Sequence, residues 1–398
     1  MPQTDSSPQP FTVRTDQAVL DDLGDRLRRT RWTDRIPGTG WEYGTDLAYL
    51  RDLCEYWADG FDWRAAEARI NRWPHVLTTI DGTPIHAIHA RSPHPGAVPL
   101  LLIHGWPGSV IEFLDVIDRL VDPPAHGGEP AEAFHVVCPS LPGYGWSGPT
   151  REGGWHIRRV ADALVELMAR LGYQRFAAQG GDWGGIATSL LGAHHPDRLL
   201  AIHLNLVLAP PPDEATLAAL TATERAAMES VARFTQTETG YQAVQGTKPQ
   251  TLAHGLADSP AGLAGWIVEK FRAWSDCDGD VEKAISRDDL LTNITTYWVT
   301  GTIGSSVRLY RESMRAGLFG APDRPVTVPT GVAVYPREIV TPPRRCVEAH
   351  YDLRYWNELP RGGHFAALEQ PELFAEDVRA FFRSLRGGSP EGGRQEVG

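Results

Sequence analysis

The stretch Gln179-Gly180-Gly181-Asp182-Trp183-Gly184-Gly185 follows an apolar run, Arg175-Phe176-Ala177-Ala178, and leads into Ile186-Ala187-Thr188-Ser189-Leu190-Leu191, which has helical character. The pattern is a strand, a very tight turn and a helix, with Gly180 and Gly184 flanking one reactive side chain. The G-x-S-x-G nucleophile elbow has this form, and here Asp182 stands in the serine's place. A turn that sharp leaves no room for a Cβ on either flank, so small residues are needed there. An ordinary Gly-rich strand-to-helix turn with a capping aspartate shares the local pattern. The surrounding chain has to discriminate between the two.

From Val98 onward, continuous apolar runs at 98–103, 134–138, 175–178 and 199–206 alternate with helical patterns near 110–121, 156–171 and 185–195. Strands apolar on both faces, alternating with helices, imply a mostly parallel sheet covered on both sides. Upstream, Val76–Ile80 and Ile85–His89 flank Asp81-Gly82, a hairpin signature that makes the sheet mixed. Pro210-Pro211-Pro212 breaks the rhythm, and 213–325 holds helical segments without a clear strand. Alternation returns at 330–335 and closes with a helix at about 371–385. The expected fold class is therefore α/β, with an all-helical lid inserted late in the sheet. The expected divisions are a disordered leader at 1–9, an aromatic-rich helical arm at 10–74 packing on the core, a core at 75–209 and 326–386, the lid at 210–325, and a disordered tail at 387–398.

The composition, 42% hydrophobic and 22% charged over 398 residues, is that of a globular protein. A net charge of -12 disfavours nucleic acid or an anionic membrane as partner. The four cysteines, Cys54, Cys138, Cys277 and Cys346, form no C-x-x-C pair. That spacing favours free thiols in a reducing compartment over a zinc site or disulfide framework. The first ten residues are polar and Pro-rich, and no stretch reaches the roughly 18 apolar residues of a membrane span. The expected location is cytoplasmic, with no metal or cofactor.

Three further places converge on the elbow. His104-Gly105-Trp106-Pro107-Gly108-Ser109 follows strand 98–103, where a backbone N–H can complete an oxyanion hole with the N–H after the nucleophile. Those donors are the amides of Trp106 and Trp183. Arg361-Gly362-Gly363-His364-Phe365 follows an apolar run ending at Trp356, the place where the base belongs in this chain order. For the acid, Glu338 after strand 331–335 is preferred over Asp213, which follows strand 199–206 and the proline run. Gly143-Tyr144-Gly145-Trp146-Ser147-Gly148 matches G-x-G-x-x-G as a string, but no helix opens at its third glycine, so it is taken as a turn. Asn293-Ile294-Thr295 matches the glycosylation sequon, without meaning in a cytoplasmic chain.

The aspartate changes the chemistry. A carboxylate is a nucleophile without losing a proton, so it can displace a leaving group at saturated carbon and form an alkyl ester. His364 is then free to activate water against that ester. A halide leaving group needs N–H donors around it, whereas an epoxide oxygen needs a phenol or other acid. The block 213–325 supplies Tyr241, Tyr297 and Tyr310, along with Trp266, Trp274 and Trp298.

Taken together, the chain resembles the microsomal-type branch of α/β-hydrolase-fold epoxide hydrolases from about Pro10 to Arg386. The likeness rests on Trp63-Arg64 in the arm, His104-Gly105-Trp106-Pro107, Gly181-Asp182-Trp183-Gly184-Gly185, Thr247-Lys248-Pro249-Gln250-Thr251-Leu252, Tyr297-Trp298-Val299-Thr300-Gly301-Thr302-Ile303, Tyr335-Pro336-Arg337-Glu338 and Gly362-Gly363-His364-Phe365. The resemblance implies Asp182 as nucleophile, Glu338 as acid, His364 as base, Tyr241 and Tyr310 as the pair that polarises the epoxide, and the Trp106 and Trp183 amides as the oxyanion hole. It also implies cofactor-independent opening of a small-molecule epoxide, bulky or aromatic, by water. Microsomal relatives carry an N-terminal membrane anchor; none is read here, so membrane attachment is not carried over. A homodimer is admitted. The competing expectations are a dehalogenase with the same Asp-His-acid set and a catalytically silent binding protein on the same fold.

Overall fold

The computed structural model describes residues 7–387; residues 1–6 and 388–398, which hold most of the expected leader and tail, lie outside it. One sheet of nine strands organises the chain: β1 (Gln9–Phe11), β2 (His75–Ile80), β3 (Thr83–Ala90), β4 (Val98–Ile103), β5 (Phe134–Pro139), β6 (Phe176–Gly180), β7 (Leu199–Leu204), β8 (Val326–Val334) and β9 (Tyr351–Glu358). Their order is β1-β2-β3-β5-β4-β6-β7-β8-β9, antiparallel as far as β5 and parallel from there to β9.

Strand β4 shows why the core runs read as continuously apolar. Leu101 and Ile103 face one core, shared with α5 (Ile157–Arg170) and α6 (Asp182–His194). Leu100 and Leu102 face the other, shared with α4 (Ile117–Val121) and α16 (Pro371–Gly387). Successive side chains on a strand point to opposite faces, so a strand covered on both sides has no polar phase. All four are fully buried, each worth about 1.5–3 kcal/mol relative to exposure.

The N-terminal arm holds α1 (Gln17–Arg28), α2 (Leu47–Asp59) and α3 (Trp63–Ile70). Between β7 and β8 lie α7 (Glu214–Ala218), α8 (Ala222–Thr237), α9 (Gly240–Thr247), α10 (Pro249–Asp258), α11 (Pro260–Trp274), α12 (Arg287–Thr300) and α13 (Ile303–Arg315), with no strand among them. The arm braces this helical block as well as the sheet. Tyr56 Oη donates to Asp288 at 2.7 Å, Thr45 Oγ1 to the Gly265 carbonyl at 2.6 Å, and Arg69 bridges Asp289 and Asp115 at 2.5 and 2.8 Å. Helix α14 (Arg344–His350) links β8 to β9, and α15 (Ala366–Glu369) precedes α16.

Some sequence-based expectations need correcting. Gln9, assigned to the leader, opens β1 and pairs with Leu77; a three-residue edge strand held by main-chain bonds leaves no compositional trace. The helix expected at 110–121 is two pieces, a 3-10 turn at Val110–Phe113 and then α4, since the first piece closes i→i+3 bonds such as Leu114 N to Ile111 O. Helix α16 runs through Gly387, where the tail was expected to begin. The run ending at Trp356 is a complete edge strand, β9, whose Asp352 and Arg354 interrupt the apolar signal. Gly143–Gly148 forms a tight turn with positive φ at Gly143, Gly145 and Gly148, against which Ser305 Oγ donates to the Gly143 carbonyl.

Candidate active site

Strand β6 ends at Gly180 and α6 begins at Asp182, so the chain reverses within two residues. Asp182 takes φ +50°, a left-handed conformation that costs of order 1–3 kcal/mol for a non-glycine residue. A Cβ on Gly180 would lie 2.2 Å from the Gly184 carbonyl oxygen, and one on Gly184 would lie 1.9 Å from the Ile103 oxygen. Glycine is thus enforced by main chain on both flanks. The carboxylate sits at the N-terminus of α6, where the unsatisfied N–H groups and helix dipole favour negative charge.

The loop after β4 closes over it. The Trp106 N–H donates to Asp182 Oδ1 at 2.8 Å. The Trp183 N–H lies in the first turn of α6, whose intrahelical bonding starts with Gly185 N to Gly181 O. His364 approaches from the other side, Nε2 3.4 Å from Asp182 Oδ2, and its Nδ1–H donates to Glu338 Oε1 at 2.6 Å. His364 and Glu338 have side chains only 2% and 1% exposed. Burial lowers the His364 pKa, but the charges and hydrogen bonds of Glu338 and Asp182 outweigh it and hold the imidazole well above its ordinary value. Asp213 is elsewhere: it caps α7 through Thr216 N and is exposed. A parallel bridge between Arg337 and Gly363 brings the Glu338 and His364 loops together.

The helical block roofs the carboxylate. Tyr241 on α9 stacks on Trp106 with centroids 5.4 Å apart, and Tyr310 on α13 meets the same indole edge-on at 5.9 Å. Both phenols line a cavity of about 480 Å³ with Asp182 at its floor and mostly apolar walls, among them Leu206, Met228, Val231, Phe234 and Ile339. Burial, and after it the Asp182 charge, raises the Tyr241 pKa; burial, then Tyr241 and Asp182, hold that of Tyr310 well above its ordinary value. The Tyr310 hydroxyl makes no hydrogen bond among the described residues. Tyr297 is placed differently, its hydroxyl donating to the Gly108 carbonyl at 2.7 Å. Of the tryptophans, Trp183 lines this cavity while Trp266, Trp274 and Trp298 do not. Among the described residues, no cluster of His, Cys, Asp or Glu has a metal-holding arrangement.

Sequence reasoning missed the bracing. Asn293, noticed only as a sequon, is buried on α12; its Nδ2 donates to the Pro107 carbonyl at 2.8 Å and its Oδ1 accepts from Ser109 Oγ at 2.7 Å. The His364 loop is held from the helical block too, through His364 N to Trp274 O at 3.0 Å and Gly362 N to Asp276 Oδ2 at 2.9 Å. Glu369 spans both sides, accepting from Phe365 N and Asp276 N. Burial pushes its carboxyl up to about 7. Glu112, just after the Trp106 loop, is partly buried near Asp182 and His364, and desolvation pushes its carboxyl up to about 8. The spacing of Glu112 from His104 is its only sequence signal.

Comparison with known proteins agrees with this geometry. The family description "Epoxide hydrolase N terminus" matches residues 8–113, and "alpha/beta hydrolase fold" matches residues 98–250. A Stigmatella aurantiaca protein, provisionally described as an epoxide hydrolase, is 48% identical over 95% of this chain and 85% of its own. Epoxide hydrolase 1 of Oryctolagus cuniculus is 39% identical over 95% of this chain and 89% of its own. The crystal structure of juvenile hormone epoxide hydrolase from Bombyx mori superposes with a TM-score of 0.88 at 32% identity, covering 96% of each chain.

Proposed function

Since the chain belongs to the epoxide hydrolase family, in the branch of the microsomal-type and juvenile hormone enzymes, we propose how its own residues carry out epoxide hydrolysis. Asp182 attacks an oxirane carbon from the floor of the apolar cavity while Tyr241 and Tyr310 hydrogen-bond the ring oxygen and protonate it as the C–O bond breaks. The product is an alkyl ester of Asp182. His364, oriented by Glu338, removes a proton from water as that water attacks the ester carbonyl. The resulting oxyanion lies against the Trp106 and Trp183 amides. Collapse releases a vicinal diol, and the second proton of the water passes from the Asp182 carboxyl back to the phenolate, restoring both carboxylate and phenol.

The observation that carries these roles is Asp182 at φ +50° with Trp106 N–H on one oxygen, His364 beside the other and two phenols above. The same arrangement weighs against a dehalogenase, because phenols rather than paired indole or amide N–H groups roof the carboxylate. The size and apolar walls of the cavity favour a bulky, uncharged epoxide. Four free, buried cysteines support a cytoplasmic location, which cell fractionation tests.

The mechanism is tested by one turnover in oxygen-18 water. The new diol oxygen comes from Asp182, so the diol carries no label in the first turnover and the carboxylate acquires it. Label in the first-turnover diol would mean direct attack by water. Asp182→Asn should leave less than about a thousandth of the activity, since an amide is a poor nucleophile. Halide release exceeding diol release, on a panel of haloalkanes and epoxides, would favour the dehalogenase.

A further inference from the structure

Asp182 lies between two cavities of opposite character. In front is the apolar space under Tyr241 and Tyr310. Behind is a second space of about 20 Å³, bounded on its polar side by His104, Glu112, Gln179, Asn205 and His364. Asp182 is the one described residue that lines both. A space of that size holds about one water molecule, provided polar groups converge on it.

Of those groups, Gln179 has an unpaired acceptor among the described residues, and Glu112 accepts from the nearby Ser109 N–H. Gln179 is 1% exposed; its Nε2 donates to Asn205 Oδ1 at 2.8 Å, while its Oε1 has no hydrogen-bond partner among the described residues. Glu112 folds back beneath the Trp106 loop so tightly that a Cβ on Gly108 would lie 1.6 Å from its Oε1. Gly108 therefore makes room for this carboxyl, which forms no salt bridge among the described residues. Neither group has a part in the mechanism above.

We infer that the rear cavity seats the water that hydrolyses the Asp182 ester, and that Glu112 is the positioning residue holding it there. This rests on the ester mechanism. Once the ester has formed, alkyl group and phenols fill the front of Asp182, so water must reach the carbonyl from behind. From the rear cavity the water oxygen bonds to Asp182 Cγ as His364 Nε2 takes its proton. The carbonyl electron pair moves onto Oδ1, where the Trp106 N–H waits. When the C=O bond reforms, the bond from Cγ to the alkylated oxygen breaks, and that oxygen leaves as the diol with the proton from His364. One water is consumed and nothing is oxidised. With its carboxyl held up near 8, Glu112 is protonated at neutral pH and can both donate to and accept from a water. A neutral amide should then replace it.

The test is single-turnover kinetics with intact-protein mass detection of the ester. Glu112→Met keeps the volume and removes the polar head. Alkylation should stay within about 2-fold of the parent while ester hydrolysis falls at least ~10-fold, so alkyl-enzyme accumulates. Glu112→Gln should hydrolyse within about 3-fold of the parent, because it keeps a donor and an acceptor. Equal slowing of both steps in Glu112→Met would mark a structural role, and normal hydrolysis there would empty the cavity of function. Glu112→Gln as slow as Glu112→Met would make Glu112 a proton carrier and not a positioning residue; each of these outcomes overturns the inference. If Glu112→Met does not fold, Ala367→Leu fills the same cavity from α15 and must give the same split of rates. If no ester accumulates even in His364→Gln, the ester mechanism fails, not the water seat.

Discussion

At the scale of single residues, the division of labour between lid and base makes separable predictions. Both phenols are held above their ordinary pKa by burial and the nearby carboxylate, so both are protonated donors at neutral pH. Replacing Tyr241 or Tyr310 by Phe should slow alkylation about 10- to 100-fold, and replacing both about a thousandfold or more. Pre-steady-state ester formation reads this, and a double variant alkylating at the parent rate would remove the phenols from the chemistry. His364→Gln should leave alkylation largely intact and cut hydrolysis by about a thousandfold, visible as a persistent mass increase equal to that of the substrate. The pH dependence also has a sign. In the free enzyme Asp182 helps hold the His364 pKa well above its usual value, which favours the imidazolium. Alkylation converts that carboxylate into a neutral ester and removes its share of the effect. Hydrolysis, which needs neutral His364, should therefore rise with pH about an inflection lower than the His364 pKa measured by NMR in the free enzyme. An inflection at or above the free-enzyme value would contradict this coupling.

At the scale of elements, the elbow depends on how closely α6 approaches the end of β4. Gly184→Ala would place a methyl 1.9 Å from a main-chain oxygen that cannot move without shifting the Trp106 loop, a cost of about 3 kcal/mol or more. Gly255→Ala on α10 meets nothing within 4 Å and should stabilise by about 0.5–1 kcal/mol. Denaturant titration of the two checks the pair, and a Gly184→Ala protein as stable as its parent would mean the packing is looser than drawn. This contact also explains what sequence could and could not reveal. The elbow was legible because its steric demand falls on neighbours, so glycines two residues either side of Asp182 record it. Strands β4, β5 and β6 were legible because burial on both faces leaves continuous apolar runs. By spacing alone Asp213 and Glu338 both remained open, since each follows a strand. Only the pairing of Arg337 with Gly363 carries the Glu338 loop to His364. Asn293 was unreadable as a brace because its partner Pro107 is 186 residues away and the hydrogen bond needs no local pattern. Strand β1 was missed for the same reason: what defines it lies on β2, beyond a long stretch of helical arm.

At the scale of the whole molecule, buried ionisable groups set opposing pH dependences. Burial lowers the pKa of His75, lowers that of His86 well below the ordinary value, and brings His89 and His104 to about 4. Each is harder to protonate in the fold than in the unfolded chain, which charges below about pH 6.5, so unfolding takes up protons there. Their contribution is full above that pH and is lost as pH falls toward the folded values. Glu112 and Glu369 act oppositely, because burial pushes them up to about 8 and about 7. They keep protons in the fold that the unfolded chain releases above about pH 4.5. Between about pH 4.5 and 6.5 the lowered histidines, His135 among them, outnumber the two raised glutamates, so unfolding takes up protons and stability rises with pH. Above about pH 6.5 the histidine term is spent. Glu112, Glu369 and the raised His364 then hold protons only in the fold, so stability falls as pH climbs through their folded pKa values. The midpoint of thermal unfolding should accordingly peak near pH 6.5 and decline on both sides. Glu112→Gln removes one alkaline contributor and should flatten the decline between about pH 6.5 and 8 while leaving the acid side steeper. A midpoint still climbing from pH 6.5 to 8 in the parent, or an alkaline limb unchanged in Glu112→Gln, would show that Glu112 does not carry its proton into the fold.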